Sequence, residues 1–303
     1  MRFCQSLNPD TLIRLKIIIK VNFLVRTITA VIFAAIMLFS IQKGGWLFTG
    51  LFGLITILAA NEFTTLANKC KGASVKRILS ILTALSFYLC IVLMFSLARP
   101  QALYCWALAF AFVIAVLVAE LYSKDSSHIA NIAYTLFPVL YIAVPMALLY
   151  VLGNMPGNGG QSGYSPALPL MLFLCIWSND VGAYCTGCTI GRHKLFERVS
   201  PKKTWEGSIG GAVFTLAAAG LVSHSIPAMY SIYPLPVWLG MGLVVVLFGT
   251  WGDLVESLMK REMGIKDSGK ILPGHGGILD RFDSAFLAIP AVTVYFVCLL
   301  YLK

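Results

Sequence analysis

Charge is scarce in this sequence. Only 12% of its 303 residues are Asp, Glu, Lys or Arg, about half of the roughly 25% carried by an average soluble domain. With 58% hydrophobic residues and a mean hydropathy of +0.83, the chain has more apolar surface than one water-facing core can hide. That excludes a soluble α/β enzyme, a disulfide scaffold, a coiled coil and a disordered chain, and it makes the bilayer the solvent. Acids are scarcer than bases, 13 against 23, for a net charge of +10. A nucleic-acid-binding domain gathers its bases on one soluble module, whereas these sit in short gaps between apolar runs, so no nucleic acid is expected as a partner. The four histidines (128, 193, 224 and 275) lack the spacing of zinc ligands. Of the eight cysteines only Cys185 and Cys188 form a CxxC, without a second pair or a thioredoxin-like context, so packing is their expected role. There is no internal repeat, which counts against a transporter built from inverted halves.

What is present is a series of long apolar runs. About 20 apolar residues cross a membrane as a helix, and nine such runs occur, at 24–42, 46–66, 78–97, 102–122, 129–152, 168–187, 209–230, 236–256 and 285–302. The first is not read as a cleaved signal peptide, because a long and mixed segment precedes it. Residues 12–25 alternate apolar side chains with Arg14, Lys16 and Lys20, the pattern of a helix lying on the membrane surface. Twenty of the 23 Lys and Arg residues fall on the N-terminal side of these spans and on alternate loops. The expected fold is therefore an all-α polytopic membrane protein of about nine transmembrane helices, with a cytoplasmic N-terminus and an outside C-terminus. The uncharged glycine-rich loop around 153–167 divides an N-terminal region, 1–165, from a C-terminal region, 166–303. The latter holds nine of the thirteen acids, so the chemistry is expected there, on the cytoplasmic side.

An acid at the centre of a membrane helix costs about 2.5–3.5 kcal/mol, against roughly 0.3–0.6 kcal/mol gained per Leu or Ile. Glu62, alone in the second span, can equally be a partly wet interfacial residue. Asp180 and Asp253 have neighbours that argue for more. Asp253, Glu256 and Ser257 are spaced i, i+3, i+4 and share one helix face, which Lys260 and Arg261 continue. Asp280, Asp283 and Ser284 repeat that spacing at the start of the last span. Two helix ends can thus present paired carboxylates at one depth. Hard oxygen donors with open positions suit Mg²⁺, which takes one or two carboxylates and completes its shell with water and phosphate oxygens. The surrounding cations favour a metal–phosphate complex over a bare ion, which points to phosphoryl or nucleotidyl transfer.

The loop between these acids is rich in glycine, whose backbone can approach phosphate closely. Gly264–Lys270 matches GxxxxGK, but Ile271 follows where a P-loop has Ser or Thr, and no strand precedes it. His275, between glycines, is a candidate for phosphate binding or proton transfer. The earlier cytoplasmic loop, Ser200-Pro201-Lys202-Lys203-Thr204-Trp205-Glu206-Gly207, reads as a phosphate clamp beside Asn179 and Asp180.

The run Ser257-x-x-Lys260-Arg261-x4-Lys266-Asp267-x-Gly269-x-x-Leu272-Pro273-Gly274-His275-Gly276-Gly277-Ile278-x-Asp280-Arg281-Phe282-Asp283 resembles the signature of the phosphatidate cytidylyltransferases, the CDP-diacylglycerol synthases. Asn179-Asp180-x-Gly182-Ala183-Tyr184 and the Ser200–Gly207 block resemble two further blocks of that family. The resemblance implies that CTP and phosphatidic acid give CDP-diacylglycerol and pyrophosphate. It implies Asp253 and Asp280 as ligands of Mg²⁺ with Asp283 in support, and leaves room for a second cation. Lys202, Lys203, Lys260, Arg261, Lys266 and Arg281 would share the triphosphate and the lipid phosphate, while Ser257 and His275 would orient phosphate oxygens. It also implies a homodimer among membrane lipids, and a bacterial inner membrane with the site facing the cytoplasm is the expected location. The rival readings are transfer to another membrane lipid phosphate and a cation-coupled transporter.

Overall fold

A computed structural model of the chain describes residues 27–70, 72–95, 99–125, 127–156, 163–265, 268–269 and 276–301. The expected surface helix at 12–25 lies outside them. The described chain is helical apart from one small hairpin. In order, the elements are α1 (Thr27–Lys43), α2 (Gly45–Ala67), α3 (Arg77–Leu93), α4 (Arg99–Leu121), α5 (His128–Gly153), α6 (Ala167–Ile190), β1 (Lys194–Phe196), β2 (Ser200–Thr204), α7 (Trp205–Ser225), α8 (Pro227–Ile232), α9 (Leu235–Glu262) and α10 (Leu279–Tyr301).

Seven of these, α2, α4, α5, α6, α7, α9 and α10, are long and apolar enough to cross a membrane, and the chain is an integral membrane protein. The first and third expected runs appear as shorter apolar helices, α1 and α3. Each has 17 residues, roughly 25 Å of helix against a hydrocarbon core of about 30 Å. The run at 209–230 is cut by Pro227, where α7 has ended and α8 begins. Two helices outrun their apolar stretches. α9 continues through Glu262, and α10 starts at Leu279, so Asp253–Arg261 and Asp280–Asp283 lie on helix rather than in loops.

Proline and glycine shape the rest. Pro145 has no N–H for the Tyr141 carbonyl four residues back, and the turn over Val139–Ala143 widens into a π-helix. Gly44 takes φ +64° between α1 and α2, a conformation that side chains resist. The Tyr164 ring packs against Gly44 and Gly153, where a Cβ would collide with it. Its hydroxyl donates to the Ile41 carbonyl at 2.6 Å, which fastens the start of α6 to the α1–α2 turn. The buried core runs through Phe48, Phe52, Met146, Trp238, Phe282 and Phe286.

α6 and α7 lie in close contact through glycine. A Cβ on Gly210 would strike the Thr186 side chain, and one on Gly211 would meet Asn179. The hairpin β1–β2 is antiparallel and leads into α7, whose first turn is capped by Thr204 Oγ1 accepting the Gly207 N–H at 3.1 Å. The small residues at 207, 210 and 211 therefore set how near the 200–208 segment comes to Asn179 and Asp180. Gly210→Val should lower stability by about 1–3 kcal/mol through overpacking. In Gly50→Val, with nothing within 4 Å of the added Cβ, it should be unchanged. Thermal unfolding of both variants in detergent checks this.

Candidate active site

α9 and α10 meet through Gly252. A Cβ there would lie 2.6 Å from the Asp283 carbonyl oxygen and 3.2 Å from Ser284 Cα. The missing side chain lets the start of α10 rest against α9 one residue before Asp253. This close approach brings the two acidic motifs to one level, as their spacing anticipates.

Lys260 is the link between them. Its ammonium group donates to Glu256 Oε2 at 3.0 Å and to Asp280 Oδ1 at 2.8 Å. The second Asp280 oxygen accepts the backbone N–H groups of Ser268 and Gly277, each at 3.0 Å. Asp253 is held on both oxygens as well. Lys203, at the end of the hairpin, pairs with Oδ2 at 2.6 Å, and the Ser257 hydroxyl donates to Oδ1 at 3.2 Å. Asp283 Oδ1 accepts its neighbour Ser284 N–H at 2.6 Å. Each of these bonds is charge-assisted, and together they let carboxylates persist among apolar helices.

Two cavities adjoin these acids. One, of about 360 Å³, is lined by Asp180, Asp253, Asp280, Arg281 and Asp283, with Thr29, Phe33 and Met37 of α1 as its other wall. The second, of about 330 Å³, is lined by Asn179, Lys202, Lys203, Thr204, Ser208 and Thr250. Asp180, Asp253 and Ser284 line both. A chamber with four aspartates, one arginine and the α1 face and a chamber with two lysines thus meet at a wall of two aspartates and a serine.

The structure brings together Asp180, Asp253, Asp280, Asp283, Lys202, Lys203 and Arg281 around these chambers, with Lys260 and Ser257 bonded to their acids. Asn179 is buried beside Gly211, and its Oδ1 has no hydrogen-bond partner. Ser200 opens β2 and lines neither chamber. Arg261 also lines neither. It is exposed, and its guanidinium donates to the Ile265 carbonyl at 3.4 Å just past the end of α9. Lys266 and His275 lie outside the described residues. Sequence reasoning missed Thr250, Ser208 and the α1 face, since lone hydroxyls and an ordinary apolar helix carry no signal. Ser284 was legible through its i+4 spacing from Asp280, but no role followed from that.

Whether this donor set suits Mg²⁺ follows from its chemistry. The acids offer only hard oxygen donors. Among the described residues no three His, Cys, Asp or Glu side chains converge on one point. Mg²⁺ asks for no such cage, since one or two carboxylates suffice when phosphate oxygens and water fill the remaining positions. The residues fit that ion.

The sequence model of the cytidylyltransferase family matches residues 24–299 of the chain. Among similar proteins is the phosphatidate cytidylyltransferase of Staphylococcus aureus strain COL, 34% identical over 275 residues, covering 89% of this chain and 97% of the relative. The phosphatidate cytidylyltransferases of Staphylococcus saprophyticus and Staphylococcus haemolyticus are 32% and 33% identical over 282 residues, each with the same coverage. With the match running from before α1 into the last turn of α10, and Asp180, Asp253, Asp280, Asp283, Lys202, Lys203 and Arg281 of the motifs gathered around two adjoining chambers, the chain belongs to the cytidylyltransferase family.

Proposed function

We propose that the two adjoining chambers receive the two substrates of a phosphatidate cytidylyltransferase, CTP on the lysine side and phosphatidic acid on the α1 side. The observation that carries this reading is their shared wall of Asp180, Asp253 and Ser284. A reaction that joins a polar nucleotide to a lipid phosphate needs such a meeting point. An oxygen of the lipid phosphate attacks the α-phosphorus of CTP, a new P–O–P bond forms, and the bond to the β-phosphate breaks. Pyrophosphate leaves and CDP-diacylglycerol remains. A phosphate monoester is already a competent nucleophile, so the work of the protein is positioning and charge compensation.

In this reading Lys202 and Lys203, with the hydroxyls of Thr204, Ser208 and Thr250, hold the triphosphate, and Asn179 and Asp180 border it. Arg281, which can bind a phosphate through two parallel bonds, holds the lipid phosphate. Lys260 keeps Glu256 and Asp280 paired across the helix contact, and Ser257 orients Asp253. Lys266 and His275 keep the phosphate-binding roles that the family signature implies. Asp253 and Asp280, with Asp283 in support, would hold Mg²⁺, whose charge when bound offsets that of the triphosphate and the departing pyrophosphate.

The reading extends to topology. Counting α1 and α3 as crossings gives nine, with the N-terminus and the 188–208 and 257–284 segments on the basic, cytoplasmic side. CTP would reach the site from the cytoplasm, and the bacterial relatives support a location in the plasma membrane. A homodimer is the assembly that the family resemblance implies.

Turnover in detergent micelles tests the assignment directly. Labelled CTP with phosphatidic acid and Mg²⁺ should move label into the lipid phase, and Asp253→Asn or Asp280→Asn should lower the rate by about 10²–10³-fold, the usual loss when a charge-stabilising group is removed. Label transfer to a polyprenyl phosphate in place of phosphatidic acid would redirect the reading to another acceptor. A second set of variants separates the chambers. Lys202→Ala should raise KM for CTP roughly tenfold, the loss of one charge-assisted bond, and leave KM for phosphatidic acid unchanged. Arg281→Ala should do the reverse, and equal effects on both substrates would contradict the division.

A further inference from the structure

Glu62 is a buried carboxylate on α2, and the reaction described above makes no use of it. Only 5% of its surface is exposed. Its Oε2 accepts the backbone N–H of Leu279 at 2.9 Å, from a residue 217 positions later in the chain. Leu279 is the first residue of α10, so this N–H is among those that a helix start leaves without an internal acceptor. A carboxylate at that point fills the bond and sets negative charge against the positive end of the helix.

The other oxygen meets a strap of backbone before α10, formed by 268–269 and 276–277. A Cβ on Gly269, or one on Gly277, would collide with Glu62 Oε1. Both stretches of backbone therefore close on the same carboxylate, and glycine at each leaves it room. Ser268 and Gly277, at those two places, donate their N–H groups to Asp280 Oδ2. The backbone at 268–269 and 276–277 thus packs against two carboxylates, Asp280 at the chamber, which accepts its N–H groups, and Glu62, which lines neither chamber.

We propose that Glu62 is a positioning residue: it caps α10 from the N-terminal half of the protein and holds the strap so that Asp280 and Asp283 face the chamber. The proposal rests on the cytidylyltransferase reading of that chamber. Glu62 acts through Asp280 and touches no reactant.

The test uses the full chain in detergent micelles with two substitutions. Glu62→Gln keeps an acceptor oxygen for the Leu279 N–H, whereas Glu62→Leu fills the space without one. Glu62→Leu leaves the buried Leu279 N–H without its acceptor, so its thermal unfolding midpoint should fall by a few degrees, and kcat is compared well below that midpoint, where both variants are folded. There the kcat of Glu62→Leu should drop by about 30-fold or more, the scale of an ångström-sized misplacement of reacting groups. Its half-saturating Mg²⁺ concentration should rise, with KM for phosphatidic acid little changed. Glu62→Gln should restore kcat to within about fivefold of the parent, the worth of one neutral hydrogen bond. Amide hydrogen exchange over 276–280 gives a readout free of turnover, and it should quicken in Glu62→Leu while the rest of α10 keeps its protection. Parent-like kcat and exchange in Glu62→Leu would overturn the proposal, as would a loss of activity that merely follows unfolding with Gln no better than Leu. If the parent itself transfers no cytidylyl group to any lipid phosphate, the reading of the chamber fails, and the exchange data still decide whether Glu62 holds the strap.

Discussion

The contact of Lys260 with Glu256 and Asp280 is the interaction on which the rest of the site depends. Two helices that each carry acids repel one another, and the repulsion is strong where apolar neighbours exclude water. One ammonium group shared between a carboxylate on α9 and one on α10 reverses the sign of that interaction. Lys203 does the same for Asp253 from the hairpin side. Of the five carboxylates here, at 180, 253, 256, 280 and 283, these two lysines pair with three, Asp253, Glu256 and Asp280, and Arg281 lies on the wall of the α1-side chamber. In the proposed reading, a chamber so rich in carboxylate would take a phosphate together with a compensating cation, which ties the oxygen-only donor set to the neighbouring lysines.

Much of the frame was legible in the sequence because bilayer physics leaves little choice. A chain in hydrocarbon must satisfy its backbone polar groups within each segment, so an apolar run of about 20 residues is a helix. The seven long helices fall where hydropathy placed them. The lengths of α1 and α3 were less legible, because Arg26 and Arg99 border stretches whose composition does not reveal where a helix ends. The hairpin Lys194–Thr204 was hidden, since strands of three and five residues with mostly polar side chains have no alternation to detect. In the site, the i, i+3, i+4 spacing of Asp253, Glu256 and Ser257 survives as one face of α9. Arg261 belongs to the same motif, yet its side chain turns toward the Ile265 carbonyl. A motif marks which residues belong together, but the direction of a long flexible side chain depends on neighbours that spacing does not show.

Long-range partners were the least legible of all. Glu62 looked like an isolated acid because its partner, the Leu279 N–H, is a backbone group, and backbone groups leave no trace in composition. The same holds for Gly252, whose role is to be absent where the Asp283 carbonyl arrives. A boundary in the glycine-rich loop near residue 165 divides the sequence by composition, but contacts cross it. α1 forms one wall of a chamber, Glu62 caps α10, and the Tyr141 ring lies 5.0 Å from that of Phe286.

Those crossing contacts fit the demands of the reaction. Phosphatidic acid is held in a leaflet by its acyl chains, so its phosphate can reach a protein site only from the side, past a helix. α1 is the helix that stands between the acids and the surroundings. Its Ile28, Val31, Ile32, Ile36 and Phe39 are exposed, while Phe33 and Met37 face the chamber. CTP has no apolar part to carry it that way and must arrive from water, where Lys202 is exposed on the opposite chamber. A single opening would force one substrate through the solvent of the other. In the proposed division, two chambers that share Asp180, Asp253 and Ser284 avoid that, and the reactants would meet where Lys203 and Lys260 hold the acids.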